Sequence, residues 1–282
     1  MSRALAILAV LLLPGVSAAQ QAGDAFEIAR TVDSEQHSTS GSTGTTHDRD
    51  AVVERVVAVT DAGVELEYDL PDGASAEDRA RQWQFPARIF APRKGPLQLR
   101  NRAELEKRID KWLEWGEMQR SACGRWIFTW NAFKIECDPD AVLQLVAAFS
   151  LGRDPPVEGG AYTDAQAIRP APLARKANGK GFTAQLTVDP EAIRNARIEN
   201  EMVLAEISGK PLTREAARKA HAAEDISGTI EIDIDTDEAG RVRHRTKVVR
   251  LTIRSGGETE TRTVTEVVER RPIRPARNPD SI

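Results

Sequence analysis

Apolar and polar side chains alternate near the start of the chain, in residues 26–32 and again in residues 64–68. A valine-rich run, residues 52–59, lies between them. A period of two is typical of strands that bury one face, so we predict a three-stranded antiparallel meander over residues 20–70. The polar Ser/Thr/Gly-rich stretch 38–46 fits either a loop or the exposed part of a long hairpin.

The last part of the chain shows the same alternation. Ile230, Ile232 and Ile234 are separated by acidic residues, and a glycine pair within residues 255–258 marks a hairpin turn. We predict that a strand, helices and a second meander in residues 182–271 join the first meander in one sheet. The expected fold class is α+β, with a mainly antiparallel, curved and half-barrel-like sheet built from the N- and C-terminal meanders.

The middle of the chain, residues 71–152, has helical spacing instead. Leu105, Ile109 and Leu113 recur every four residues and predict a helix with one apolar face. All five tryptophans lie within residues 83–130, which also contain the start of a predicted tight hairpin. We therefore expect a tryptophan-rich unit of helices and one hairpin, inserted between the two meanders.

Two further segments lack periodicity. Residues 153–181 are rich in proline and glycine, which predicts a linker. Residues 272–282 are basic and proline-rich without aromatic side chains, which predicts a disordered tail.

The first 19 residues have the features of a secretory signal peptide. Arg3 precedes an apolar run, residues 4–13, and small residues follow at 17–19. We predict cleavage after about Ala19 and a periplasmic or secreted location. The apolar run is too short to span a bilayer, so we expect no stable transmembrane anchor.

Two cysteines, Cys123 and Cys137, flank the predicted hairpin. An even number of cysteines in an exported chain favours a disulfide, which would join the hairpin at its base. A metal or redox pair is the alternative. The spacing does not match a CxxC motif, and no histidine is near in sequence to complete a zinc site.

Charge and motifs exclude several functions. The net charge of −4 argues against nucleic-acid partners, which need a basic surface. The histidines form no HExxH motif, and no serine-nucleophile motif is present. The acidic residues Asp233, Asp235 and Asp237 resemble part of a calcium loop but fit an acidic strand face better. We predict no catalytic residues, no metal site and no cofactor.

The predicted hairpin contains the candidate binding residues of the chain, Trp126, Phe128 and Trp130. Tryptophans four residues apart on a regular strand lie on one face. They fit a small aromatic core held by the disulfide. They also fit an exposed platform for a glycan, a lipid or a partner protein.

Three segments carry a family resemblance: Gly23-Asp24-x-Phe26, VVAVTDAGVELEYDL and SGTIEIDIDTDEAGRV. Together they resemble a family of uncharacterised exported bacterial β-rich proteins. More distantly, the layout is similar to the half-barrel of periplasmic lipoprotein carriers. The carrier resemblance implies a hydrophobic ligand between the curved sheet and its helices.

We therefore expect a non-enzymatic exported envelope protein that binds a hydrophobic or lipid-like ligand or an envelope protein partner. One alternative is a scaffolding or assembly protein of the cell envelope without a small-molecule ligand. Another is a hydrolase of unrecognised type.

Overall fold

A computed structural model describes residues 20–128, 132–152 and 154–273 of the 282-residue chain. The predicted signal peptide, Trp130 and most of the predicted tail lie outside the described residues. Pro272, the first residue of that predicted tail, pairs with Phe26 in the sheet.

The described residues form a ten-stranded antiparallel sheet, two small two-stranded sheets and five α-helices. The strands are β1 (Ala25–Ser38), β2 (Thr43–Val59), β3 (Gly63–Asp69), β4 (Ala87–Pro92), β5 (Gln98–Leu99), β6 (Trp126–Phe128), β7 (Ala132–Lys134), β8 (Ala161–Tyr162), β9 (Ala171–Pro172), β10 (Ala174–Arg175), β11 (Gly181–Thr187), β12 (Asp225–Thr236), β13 (Val242–Ser255) and β14 (Glu258–Pro272). The helices are α1 (Ala76–Arg81), α2 (Arg102–Trp115), α3 (Ala141–Ala148), α4 (Pro190–Ile207) and α5 (Arg214–His221).

One curved sheet joins the two ends of the chain, which confirms the predicted fold class. Its strand order is β10-β11-β12-β13-β14-β1-β2-β3-β4-β5. The first and last long strands are neighbours at its centre, in register from Phe26 opposite Pro272 to Ser38 opposite Glu260. The sheet is open, and both of its edges are two-residue strands. Short edge strands offer little backbone for pairing with other chains.

The polar stretch at residues 38–46 belongs to a long hairpin. Strand β1 ends at Ser38 and β2 begins at Thr43, and the residues of β2 up to Asp50 are exposed. The hairpin alternative from the sequence is therefore the correct one.

One face of the sheet, here called the inner face, carries the apolar side chains and is covered by helices. Because side chains alternate along strands, the register places Ile28, Val52 and Ile230 on this face. Helices α2 and α3 cover the N-terminal half, where Leu105 and Val142 are fully buried. Helix α4 covers the C-terminal half. The result is two hydrophobic cores on one sheet.

The disulfide between Cys123 and Cys137 is formed, with Cα atoms 5.6 Å apart. It lies at the base of the β6–β7 hairpin, as predicted. Gly124 N–H donates to the Ile135 carbonyl at 2.8 Å and continues the pairing toward the disulfide.

Residues 154–181, most of the predicted linker, pack against the C-terminal core. Tyr162 and Leu173 contact that core, and β8 pairs with β9 within the segment. Lys247 on the inner face donates to Asp164 at 2.5 Å and to Gln166 at 3.2 Å. Residues 154–173 therefore lie on the sheet as a strap held by apolar contacts and charge, and Ala174–Arg175 form the edge strand β10.

Candidate functional site

A cavity of about 710 Å³ lies between the inner face and the end of helix α3. We call it the inner cavity. On the sheet side, Val64, Leu66 and Tyr68 line it because they alternate on one face of β3. On the other side it is lined by Phe149 and Leu151, which close the C-terminal end of α3. The walls are mainly apolar. Their polar residues include the Glu54–Arg270 pair near the sheet centre, with Arg93, Asp154 and Arg241 elsewhere in the lining.

A buried ion pair forms the polar part of the inner cavity. Arg270 donates to Glu54 Oε1 at 2.5 Å, and the Tyr68 hydroxyl donates to Glu54 Oε2 at 2.6 Å. The Glu54 side chain is 9% exposed and that of Arg270 is 14% exposed. The Arg270 guanidinium also lies over the Phe26 ring, 3.6 Å from its centroid. Burying two charges is costly, and here the two hydrogen bonds and the aromatic contact offset that cost.

Arg270 keeps one unused donor. Its Nε is buried and has no hydrogen-bond partner among the described residues. Buried donors in native proteins are almost always satisfied, and this one is an exception whose atom has no surface open to the cavity. Arg270 lines the inner cavity with other atoms of its side chain.

A second group of ion pairs lies beside the Glu54–Arg270 pair on the inner face of the sheet. Glu266 accepts from Arg30 at 2.7 Å and from Arg245 at 3.0 Å. Arg245 also donates to the Ser150 carbonyl at 3.1 Å, which ties the centre of the sheet to the chain after α3. These charges lie between the two hydrophobic cores. They separate the inner cavity from a smaller pocket under α4.

Tyr162 lies near this group, on the strap. Burial raises the pKa of its hydroxyl, while the Arg245 charge acts to lower it. The phenol is therefore neutral at ordinary pH and adds no charge to the site.

Two of the predicted aromatic residues, Trp126 and Phe128, lie on strand β6 of the hairpin and do not line the inner cavity. Phe128 is 65% exposed, and Trp126 is half-buried with its backbone N–H donating to Glu206 of α4 at 3.3 Å. Trp130 lies outside the described residues. Trp83 and Trp112 pack in the N-terminal core instead, together with Tyr68, Phe85 and Phe149. Exposure of Phe128 is compatible with the platform hypothesis, which stays a prediction.

Two carboxylates on the acidic strand of the C-terminal meander already share a lysine partner. Asp233, Asp235 and His244 bring potential ligand atoms within 4.8 Å of one another. However, Lys176 Nζ lies 2.5 Å from Asp233 and 2.8 Å from Asp235. Its hydrogen bond lowers the pKa of Asp235. Asp237 accepts backbone hydrogen bonds from its own turn, at Ala239 and Arg241. The ammonium group thus takes the position between the carboxylates.

Sequence reasoning missed Glu54 and Arg270, although both carried a signal. Glu54 lies between Val52 and Val56, at an inward position of an alternating strand. Arg270 follows Val268 with the same spacing. Burying a charged side chain is costly, so a charge at an inward strand position indicates either an ion-pair partner or a functional role.

No helix among the described residues has both the length and the apolar character needed to cross a bilayer. Protein-family models gave no match to the chain, and the curated proteins gave no significant relative.

Proposed function

We propose that this chain is a non-enzymatic exported envelope protein that binds a hydrophobic, lipid-like ligand in the inner cavity. The observation that carries the proposal is the cavity itself, about 710 Å³ with apolar walls and one buried ion pair. Ligand sites of small amphipathic molecules are typically about 300–1,000 Å³, mainly apolar, with a few fixed polar groups.

The residues lining the cavity have two roles, one apolar and one polar. Leu66 and Phe149 offer apolar surface to a hydrocarbon chain. The Arg270 side chain, which lines the cavity, is the donor for an ester, amide or hydroxyl oxygen of the head group. Because Glu54 neutralises Arg270, the favoured head group is uncharged. A monoacylglycerol has this chemistry.

A second candidate function is binding of an envelope protein through the hairpin, favoured by exposure of Phe128. Exposed aromatic side chains are common at protein interfaces. This function needs no ligand in the cavity, so the ligand experiment separates the two.

The test is native mass spectrometry of the purified protein with added monopalmitoylglycerol. Ala147 lines the cavity from the exposed side of α3, so Ala147→Trp should obstruct part of the cavity without disturbing the core. Gln144→Trp, on the same helix and exposed outside the cavity lining, is the matched control. We expect a one-to-one complex in the wild type and the control, and its loss in Ala147→Trp. Equal binding by all three proteins, or none by the wild type, would refute the proposal.

A further inference from the structure

A smaller pocket of about 210 Å³ lies between helix α4 and the inner face of β13 and β14. We call it the α4 pocket. Val249, Leu251 and Val264 form its floor, and Ile193 and Ala196 of α4 face them. It is distinct from the inner cavity, because the Arg30–Glu266–Arg245 group lies between the two.

Basic side chains surround this apolar floor, and most of them are matched by carboxylates. Arg30 pairs with Glu266 at 2.7 Å, and Lys247 pairs with Asp164 at 2.5 Å. Arg197 of α4 is matched as well: it pairs with Glu260 at 3.1 Å and with Glu224 at 3.2 Å.

Arg262 is the exception. Its Nε donates to the Ser34 hydroxyl at 3.3 Å, and no carboxylate lies within ion-pair distance of it among the described residues. Arg262 lines the α4 pocket and is half-buried. A chain with a net charge of −4 thus places an unmatched cation beside an apolar pocket. A guanidinium so placed is suited to a carboxylate, which it can bind through two parallel hydrogen bonds.

We infer that the α4 pocket is a binding site for a monoanionic amphiphile with a short hydrocarbon chain, such as a medium-chain carboxylate. The carboxylate pairs with Arg262, and the chain lies on Val249, Leu251 and Val264. The small volume excludes the longer chains that the inner cavity admits. A single negative charge matches the one cationic side chain that has no carboxylate partner among the described residues lining this pocket. This inference does not depend on the function proposed for the inner cavity.

The test is calorimetric titration of octanoate at low salt, with 1-octanol as the uncharged analogue of equal chain length. We expect Arg262→Gln to weaken octanoate binding about tenfold or more, because the charge-assisted hydrogen bonds are lost. Arg250→Gln is the matched control, since Arg250 precedes Leu251 on the opposite face and is half-exposed. It should bind octanoate like the wild type.

A second pair of variants tests the pocket from the helix side. Ala196→Trp fills the pocket from an exposed position of α4, whereas Asn195→Trp adds the same ring outside its lining. Octanoate binding should be lost in the first and kept in the second. Failure of the wild type to bind octanoate would overturn the inference, as would equal affinity for octanol or unchanged binding by both Arg262→Gln and Ala196→Trp. Because Ala147→Trp leaves the α4 pocket open, loss of monopalmitoylglycerol binding in that variant tests the inner cavity alone.

Discussion

At the scale of single residues, the unusual feature is a charge pair buried at the centre of the sheet. Glu54 and Arg270 come from strands near opposite ends of the chain and meet on the inner face. Removing one member of a buried pair leaves the other uncompensated, which costs more than removing both. The pair is therefore a measurable link between the two ends of the fold.

We predict that Arg270→Met lowers the free energy of unfolding by about 3 kcal/mol, because Glu54 would remain buried without its cation. The double variant Glu54→Gln/Arg270→Met should be more stable than Arg270→Met alone. Urea unfolding of the two single variants and the double variant gives the coupling energy. The control is Arg271→Met, which removes an exposed arginine one residue away and should change stability by less than about 0.5 kcal/mol. Additive effects of the two substitutions would contradict this prediction.

At the scale of elements, local sequence signals predicted most helices and strands well. In the sequence, Asp189-Pro190 is a helix-start signal and Gly209 is a helix-stop signal, and the structure gives this helix as Pro190–Ile207. Asn101 stands three residues before Glu104, which is the sequence signal of a side-chain cap at the start of helix α2. In the structure its Oδ1 instead accepts from Arg88 N–H at 2.9 Å, and its amide donates to the Pro86 carbonyl. The capping signal therefore predicts the correct start of α2, but the Asn101 side chain forms hydrogen bonds with residues 86 and 88 and does not cap the helix.

The polar site was not predictable in the same way. Glu54 and Arg270 are 216 residues apart, and their contact depends on the register of three central strands. The alternation of a strand tells which face a residue occupies, but not which distant strand lies beside it. Arg262 shows the same limit, because its lack of a carboxylate partner follows from the placement of every neighbouring acid.

The short hairpin of β6 and β7 is stabilised by contacts outside its own strands. Each strand has three residues, and a hairpin of this size is marginal on its own. The Cys123–Cys137 bond closes its base, and Ile127 packs against the N-terminal core. Its stability therefore rests on the crosslink and on that one packed face.

We predict that Cys123→Ala/Cys137→Ala lowers the free energy of unfolding by about 3 kcal/mol. A crosslink between residues 14 positions apart restricts the unfolded chain by roughly this amount in the chain-entropy account. Hydrogen exchange should show the loss of protection first at the hairpin amides, such as Gly124 and Ile135. Reducing the wild-type protein is the control, since it breaks the same bond without changing side chains. A stability within about 0.5 kcal/mol of the oxidised wild type would contradict the prediction.

At the scale of the whole molecule, two cores share one sheet, and the pairing of β1 with β14 joins them. The ion pairs at the sheet centre add contacts between strands from both ends of the chain. A domain whose parts share a continuous sheet and its hydrogen bonds is expected to unfold as one unit.

The tryptophans make this cooperativity testable, because all five lie within residues 83–130 of the sequence and no tryptophan of the described residues belongs to the C-terminal core. Ile230 is fully buried in that core, so Ile230→Ala should cost about 2–5 kcal/mol. If the sheet couples the cores, this distant substitution lowers the urea midpoint of tryptophan fluorescence as much as that of far-UV circular dichroism. Ile109→Ala, in the N-terminal core, is the control that lowers the fluorescence midpoint with or without coupling. An unchanged fluorescence midpoint in Ile230→Ala, beside an earlier transition in circular dichroism, would mean that the two cores unfold independently.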